Sequence, residues 1–141
     1  MMQNVNAKDR HGHTPLIDAA KGGDLEAVKD LLHRGAEVDA QSEKGKTALH
    51  YAAANGHVEV VKLLLEHGAQ VDARDREWRT PLMLAAIYGC NHTVHALLSA
   101  GADTHVRTLA GNTALIYAEN NVHPLTAALL KKAQRFKETN A

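Results

Sequence analysis

Small and hydrophobic residues recur along the chain at a fixed interval of 33 positions. The interval is clearest at four threonines, each followed two positions later by a leucine. These threonines are Thr14, Thr47, Thr80 and Thr113. The same interval separates the Gly-Ala pairs at 35–36, 68–69 and 101–102 and the Ala-Ala pairs at 19–20, 52–53 and 85–86. Self-similarity at a period of this length indicates a repeat protein, in which each unit packs against its neighbours.

Each unit carries the residues of two short helices. The Thr-Pro pairs at 14–15 and 80–81 place a capping hydroxyl before a proline at the first helical position, so they predict the start of a first helix. Glycines at 22–23, 56 and 89 predict its end, because glycine takes the left-handed conformation that terminates helices. The apolar run 58–65 then predicts a second helix. Its recurring core positions are Leu31, Leu64, Leu97 and Leu130.

Two segments carry a resemblance to a known family. Residues 45–53, Gly-Lys-Thr-Ala-Leu-His-Tyr-Ala-Ala, and residues 68–73, Gly-Ala-Gln-Val-Asp-Ala, resemble the ankyrin repeat almost position for position. The resemblance covers about residues 5–132. It implies an all-α repeat solenoid of ankyrin-type helix-turn-helix units with β-hairpin loops. It also implies that the hairpin tips and first helices form a concave surface, and that the protein binds a partner there.

Polar substitutions at both ends predict capping units. Asp18 and Asp30 stand at positions that are apolar in later units, and Lys131 replaces a recurring leucine in the fourth unit. A complete domain is therefore favoured, although residues 5–8 resemble the closing strand of a preceding unit and leave a longer array open. We expect a leading segment at 1–8, ankyrin repeats at 9–41, 42–74, 75–107 and 108–133, and a polar tail at 134–141. In the fourth repeat a second helix is expected to begin at or just after Pro124.

Composition narrows the classes of partner. Lys plus Arg and Asp plus Glu number 16 each, so the formal net charge is zero and gives no support to binding of nucleic acid or of an anionic membrane. The single cysteine excludes an intramolecular disulfide, and no signal peptide or membrane-spanning apolar run is present. We therefore expect a cytoplasmic monomer without a cofactor, with a nuclear location left open.

Trp78 departs from the repeat pattern. It stands where the other units have a turn glycine, and a bulky residue with a positive φ costs about 1 kcal/mol or more. If the tip geometry is kept, Trp78 lies at the mouth of the concave surface, where tryptophan is a favoured binding residue. The alternative is a relaxed hairpin in which Trp78 only covers its neighbours.

The candidate partner-binding residues lie at the hairpin tips and on the first helices. Basic residues outnumber acids at the tips, and the third repeat adds an apolar pair. The set is Lys44, Lys46, Asn55, Arg76, Glu77, Trp78, Arg79, Ile87, Tyr88 and Asn112. It predicts a protein partner with an apolar anchor and an acidic rim.

The sequence gives little support for a catalytic role. Cys90, His92 and His95 offer potential metal ligands, but no fourth ligand is evident. The resemblance implies structural roles for His50 and His57. We therefore predict a non-enzymatic protein-binding module. A scaffold or inhibitory subunit of a larger complex and an engineered ankyrin binder remain open, and a metal-dependent enzyme is the disfavoured alternative.

Overall fold

The computed structural model describes residues 4–139, with side chains through residue 137. Eight helices occur in this part of the chain, and no residue between 4 and 139 belongs to a β-strand. They are α1 (Pro15–Gly22), α2 (Leu25–His33), α3 (Ala48–Ala54), α4 (Val58–Glu66), α5 (Pro81–Ile87), α6 (Asn91–Ser99), α7 (Ala114–Asn120) and α8 (Pro124–Thr139). The predicted all-α repeat solenoid is confirmed.

The four recurring threonines start the first helix of each repeat. Each has an extended backbone and accepts a hydrogen bond at its side-chain oxygen from the backbone N–H three residues later. This bond satisfies one of the N–H groups that a helix leaves without a partner at its start. The second helix of the fourth repeat begins at Pro124, as predicted. It then continues to Thr139 across the predicted boundary between repeat and tail.

The helices form two layers. The odd-numbered helices α1, α3, α5 and α7 pack in sequence as the inner layer, and the even-numbered helices form the outer one. Leu64, Leu97 and Leu130 are fully buried between the layers, each contributing about 1.5–3 kcal/mol through removal of apolar surface from water. Leu31 is only half-buried, and it lies on α2, which has α4 as its outer-layer neighbour.

The loops between repeats form hairpin-shaped turns that stack in a row. One backbone hydrogen bond joins each tip to the next: the N–H of Glu43 donates to His11, that of Arg76 to Lys44, and that of Leu109 to Glu77, at 3.0–3.1 Å. The tips therefore lie along one continuous edge of the solenoid.

Trp78 keeps the tip geometry of the glycines that it replaces. Its φ is +65°, against +77° at Gly45 and +85° at Gly111. The Trp78 N–H donates to the Asp75 carbonyl at 3.0 Å, as the Gly45 N–H does to Ser42 at 2.8 Å. The hairpin does not relax, so the side chain projects from an unaltered turn.

Val122 occupies the position at which each of the first three repeats has a glycine between its two helices. At Gly89, the equivalent position one repeat earlier, an added Cβ would lie 2.6 Å from Nδ1 of His123 in the next repeat. Val122 also has a positive φ, +58°, and its side chain is 80% exposed.

Candidate partner-binding surface

A cleft of about 480 Å³ lies between the tips of the second and third hairpins. It is lined by Glu43, Lys44, Lys46, Asp75, Arg76, Glu77 and Arg79. Five members of the predicted set, Lys44, Lys46, Arg76, Glu77 and Arg79, thus meet in one place. The repeat spacing brings them together, because equivalent tip positions of adjacent units stack on one another.

Arg79 is held in the wall of this cleft by two carboxylates. Its Nε lies 3.1 Å from Oδ2 of Asp75 and 3.1 Å from Oε2 of Glu77. Asp75 is buried and also accepts the backbone N–H groups of Glu77 and Arg79 at 2.9 and 2.8 Å. The positive charge of Arg79 is therefore fully compensated within the hairpin, and the group of three side chains has one negative charge in excess.

Lys44, Lys46 and Arg76 form no ion pair with any side chain between residues 4 and 137. Lys46 is half-buried, and this burial lowers the pKa of its ammonium group. The nearby positive charge of Arg79 lowers the pKa further. These three side chains leave positive charge available to a ligand.

Tyr51 links the cleft to the first repeat. The ammonium groups of Lys21 and Lys46 lie 5.7 and 6.0 Å from its ring centroid. Its hydroxyl is 3.3 Å from Nε2 of His13 and 3.1 Å from Oγ of Ser42. A second cleft is lined by His11, His13, Lys21, Glu43, Lys44, Lys46 and Tyr51. From the sequence, Tyr51 was considered only as a position in a helix. The equivalent position of the third repeat is Leu84, so the hydroxyl group of Tyr51 could have indicated a polar contact here.

Trp78 and Tyr88 are the exposed aromatic residues of the third repeat, at 47% and 61%. The guanidinium carbon of Arg74 lies 4.8 Å from the Trp78 ring centroid, within the range of a cation–π contact. Neither aromatic side chain lines the charged clefts. Ile87 is half-buried, and its carbonyl accepts a hydrogen bond from Nε2 of His123 at 2.9 Å.

Asn55 and Asn112 have structural contacts. The amide of Asn55 donates to the Lys21 carbonyl at 2.9 Å and so joins the second repeat to the first. Asn112 is half-buried, and its backbone N–H donates to Oγ1 of Thr108 at 3.1 Å. Both lie outside the linings of the two clefts.

His50 and His57 have the structural roles expected of them. Nε2 of His50 donates to the Arg79 carbonyl at 2.8 Å, and its Nδ1 accepts the Thr47 backbone N–H at 3.0 Å. Burial lowers the pKa of His50, which favours this neutral form. Nε2 of His57 donates to the Lys21 carbonyl at 3.1 Å.

Potential metal ligands meet at a different place from the one considered in the sequence. Within the described residues, a single group of three such side chains has its ligand atoms within 4.8 Å of one another: Asp9, His13 and Asp18. Oδ1 of Asp9 already accepts the backbone N–H groups of His11 and His13, and these bonds lower the pKa of Asp9. The Asp9 contacts therefore organise the first hairpin.

The fold and the surface define a helical repeat solenoid with a charged groove along its hairpin edge. The family described as ankyrin repeats (3 copies) matches residues 16–108, so the chain belongs to the ankyrin-repeat family. Ankyrin repeats are generally protein–protein interaction modules, and their fold is typically non-enzymatic. A search of curated proteins found no match to this chain. None of the helices in the described residues has the length and apolar character needed to cross a membrane.

Proposed function

We propose that this protein binds a partner protein non-covalently through its concave surface, with Trp78 and Tyr88 of the third repeat as apolar contacts. The observation that carries the proposal is the strained position of Trp78. A residue with a Cβ in the left-handed region costs about 1–2 kcal/mol, yet Trp78 stays there and remains 47% exposed. Backbone strain of this kind is concentrated at functional positions.

The residue types support the same proposal. Tryptophan, tyrosine and arginine are over-represented among the residues that dominate binding energy at protein interfaces. Arg74 stacks on Trp78, and Arg76 extends from the same hairpin without an ion pair among the described side chains. An apolar contact with charged groups around it matches the usual arrangement of an interface, an apolar centre within a polar rim.

Affinity capture from a cell lysate tests this proposal, with bound proteins quantified by mass spectrometry. The baits are the wild-type chain, Trp78→Gly and Tyr88→Ala. Leu125→Ala is the matched control, because Leu125 is also a large exposed apolar residue, at 70%, but lies on α8. Thermal unfolding must show that all four proteins are folded.

We expect proteins that are enriched by the wild type and by Leu125→Ala to be lost with Trp78→Gly and Tyr88→Ala. A recombinant form of such a protein should then bind the wild type directly. Its affinity for either aromatic variant should be lower by about tenfold or more. Equal retention by all four baits would place the binding surface elsewhere on the solenoid and contradict the proposal.

A further inference from the structure

The positive charge of this neutral chain is concentrated along its first three hairpin tips. The two clefts described above share Glu43, Lys44 and Lys46, so they form one continuous groove. Its lining includes five lysine or arginine side chains and three carboxylates, a net charge of +2, whereas the whole chain has 16 basic and 16 acidic residues and no net charge. The groove therefore has a charge that the molecule as a whole lacks.

Most of the carboxylates in the groove are already paired. Asp75 and Glu77 both contact Arg79, whose single positive charge offsets one of these two negative charges, and Glu43 is the lining carboxylate without an ion pair among the described side chains. The lining cations without an ion pair in the same part of the chain are Lys21, Lys44, Lys46 and Arg76. The unpaired lining charge is therefore predominantly positive.

Lys46 is the half-buried one among the unpaired cations of the groove, since Lys21, Lys44 and Arg76 are exposed. It has the face of Tyr51 at 6.0 Å, and Asp75 and Glu77 act on its charge only from beyond ion-pair distance. A ring face compensates only weakly for the removal of an ammonium group from water. The lowered pKa of Lys46 reflects the same desolvation. A ligand carboxylate beside Nζ would supply the missing charge.

We infer that the groove binds an acidic, extended segment of the partner protein, whose carboxylates pair with Lys21 in the first repeat, with Lys46 and Lys44 in the second, and with Arg76 in the third. This inference rests on the proposed function, since it names the partner chemistry for the same concave surface. Carboxylates fit better than polyphosphates, because the carboxylate of Glu43 stands among the lysines and would repel a multiply charged group more strongly.

The repeat spacing sets the register of such a segment. Packed helices lie about 8–10 Å apart, and an extended segment in the polyproline II conformation rises about 3.1 Å per residue with three residues per turn, so every third side chain faces the same side. Successive repeats are therefore about three residues apart along an extended ligand. We expect acidic residues at every third position.

Fluorescence anisotropy with a labelled synthetic nonapeptide tests this inference. The probe has aspartate at positions 1, 4 and 7 and serine or glycine elsewhere, and the control peptide has the same composition with its aspartates adjacent. The full chain is compared with Lys46→Gln and with Lys62→Gln. Lys62 is the matched control, because it lies on α4 in the outer layer and is 55% exposed, with Glu59 at 4.0 Å.

We expect the spaced peptide to bind the wild type and Lys62→Gln equally, and Lys46→Gln about five- to tenfold more weakly, through loss of a partly buried charge pair. Equal affinity for the two peptides, equal effects of the two variants, or no binding at about 1 mM peptide would overturn the inference. Tighter binding of a uridylate oligonucleotide of equal charge would overturn it in favour of a phosphate ligand.

These results are distinguishable from failure of the proposed function. If Lys46→Gln still captures the partner that Trp78→Gly loses, and the peptide does not bind, the concave surface binds a protein that does not use the charged groove. If Trp78→Gly and Tyr88→Ala keep every partner, the aromatic contacts are refuted, whatever the result with the peptide.

Discussion

Replacing Val122 by glycine should stabilise the protein, although it removes an apolar side chain. Val122 has a φ of +58°, in the left-handed region, where β-branched residues are the least tolerated. Glycine stands at the equivalent positions of the first three repeats, including Gly56 and Gly89. The substitution restores the residue that this turn accepts without strain.

The magnitude follows from three opposing effects. Relief of the left-handed strain contributes about 1–2 kcal/mol. Complete burial of a valine side chain is worth about 1.5–3 kcal/mol, but this one is 80% exposed, so its removal costs about 0.3–0.6 kcal/mol. The greater freedom of glycine in the unfolded chain costs about 0.5 kcal/mol more. The net gain is about 0–1.2 kcal/mol with a midpoint of about 0.5 kcal/mol, which raises Tm by about 2 °C.

Thermal unfolding followed by circular dichroism measures the change, with Val122→Ala as the matched control. Alanine keeps the Cβ that produces the strain while removing a similar part of the exposed apolar surface. We expect a rise in Tm for Val122→Gly and none for Val122→Ala. A glycine variant that unfolds at or below the wild-type temperature would show that the turn stores no strain, and the reasoning would be wrong.

Three further predictions concern buried or closely packed groups. Stability should decline as the pH falls below about 6.5, because the unfolded His50 imidazole binds a proton more readily than the buried ring, whose pKa is lowered; urea unfolding of His50→Gln should show a smaller slope with pH. Gly89→Ala should destabilise the fold by about 2 kcal/mol in urea unfolding, because φ is +66° and the new Cβ would lie 2.6 Å from Nδ1 of His123. Asp75→Asn should cost about 2 kcal/mol in the same assay through its weakened bond to Arg79, and an unchanged midpoint would refute a structural role for that ion pair.

The fold was predictable because the residues that determine local structure recur at equivalent positions in each repeat. The threonine caps, the helix-ending glycines and the buried leucines recur in phase, and each has a physical role that does not depend on distant residues. The departures at Trp78 and Val122 were visible as residues that break the pattern. Their backbone conformation could be determined only from the structure. The same sequence is compatible with a loop that relaxes and with a loop that keeps a strained positive φ.

The candidate surface was predictable only in part, because a repeat interval fixes which positions stack and not which side chains pair. The sequence placed Lys44 and Arg76 at hairpin tips of one surface, but it did not show that Arg79 is neutralised by Asp75 and Glu77. Asn55 was predicted to be a binding residue, and its hydrogen bond to the first repeat was not predicted. Hydrogen bonds between units depend on side-chain reach, which the spacing does not contain.

Trp78 and Val122 show how the same backbone strain has different consequences on different surfaces. The Val122 side chain is exposed in the turn between α7 and α8, at the position equivalent to Gly89, which lies against the His123 ring. Trp78 lies on the hairpin edge, where the tips remain joined by the bond from the Leu109 N–H to Glu77 at 3.1 Å and Arg74 covers the indole ring. Removing either side chain should relieve strain, but under the proposed function only Trp78→Gly weakens partner binding. Opposite signs for stability and binding at Trp78, together with a gain in stability alone at Val122, would separate a strain that serves binding from one that does not.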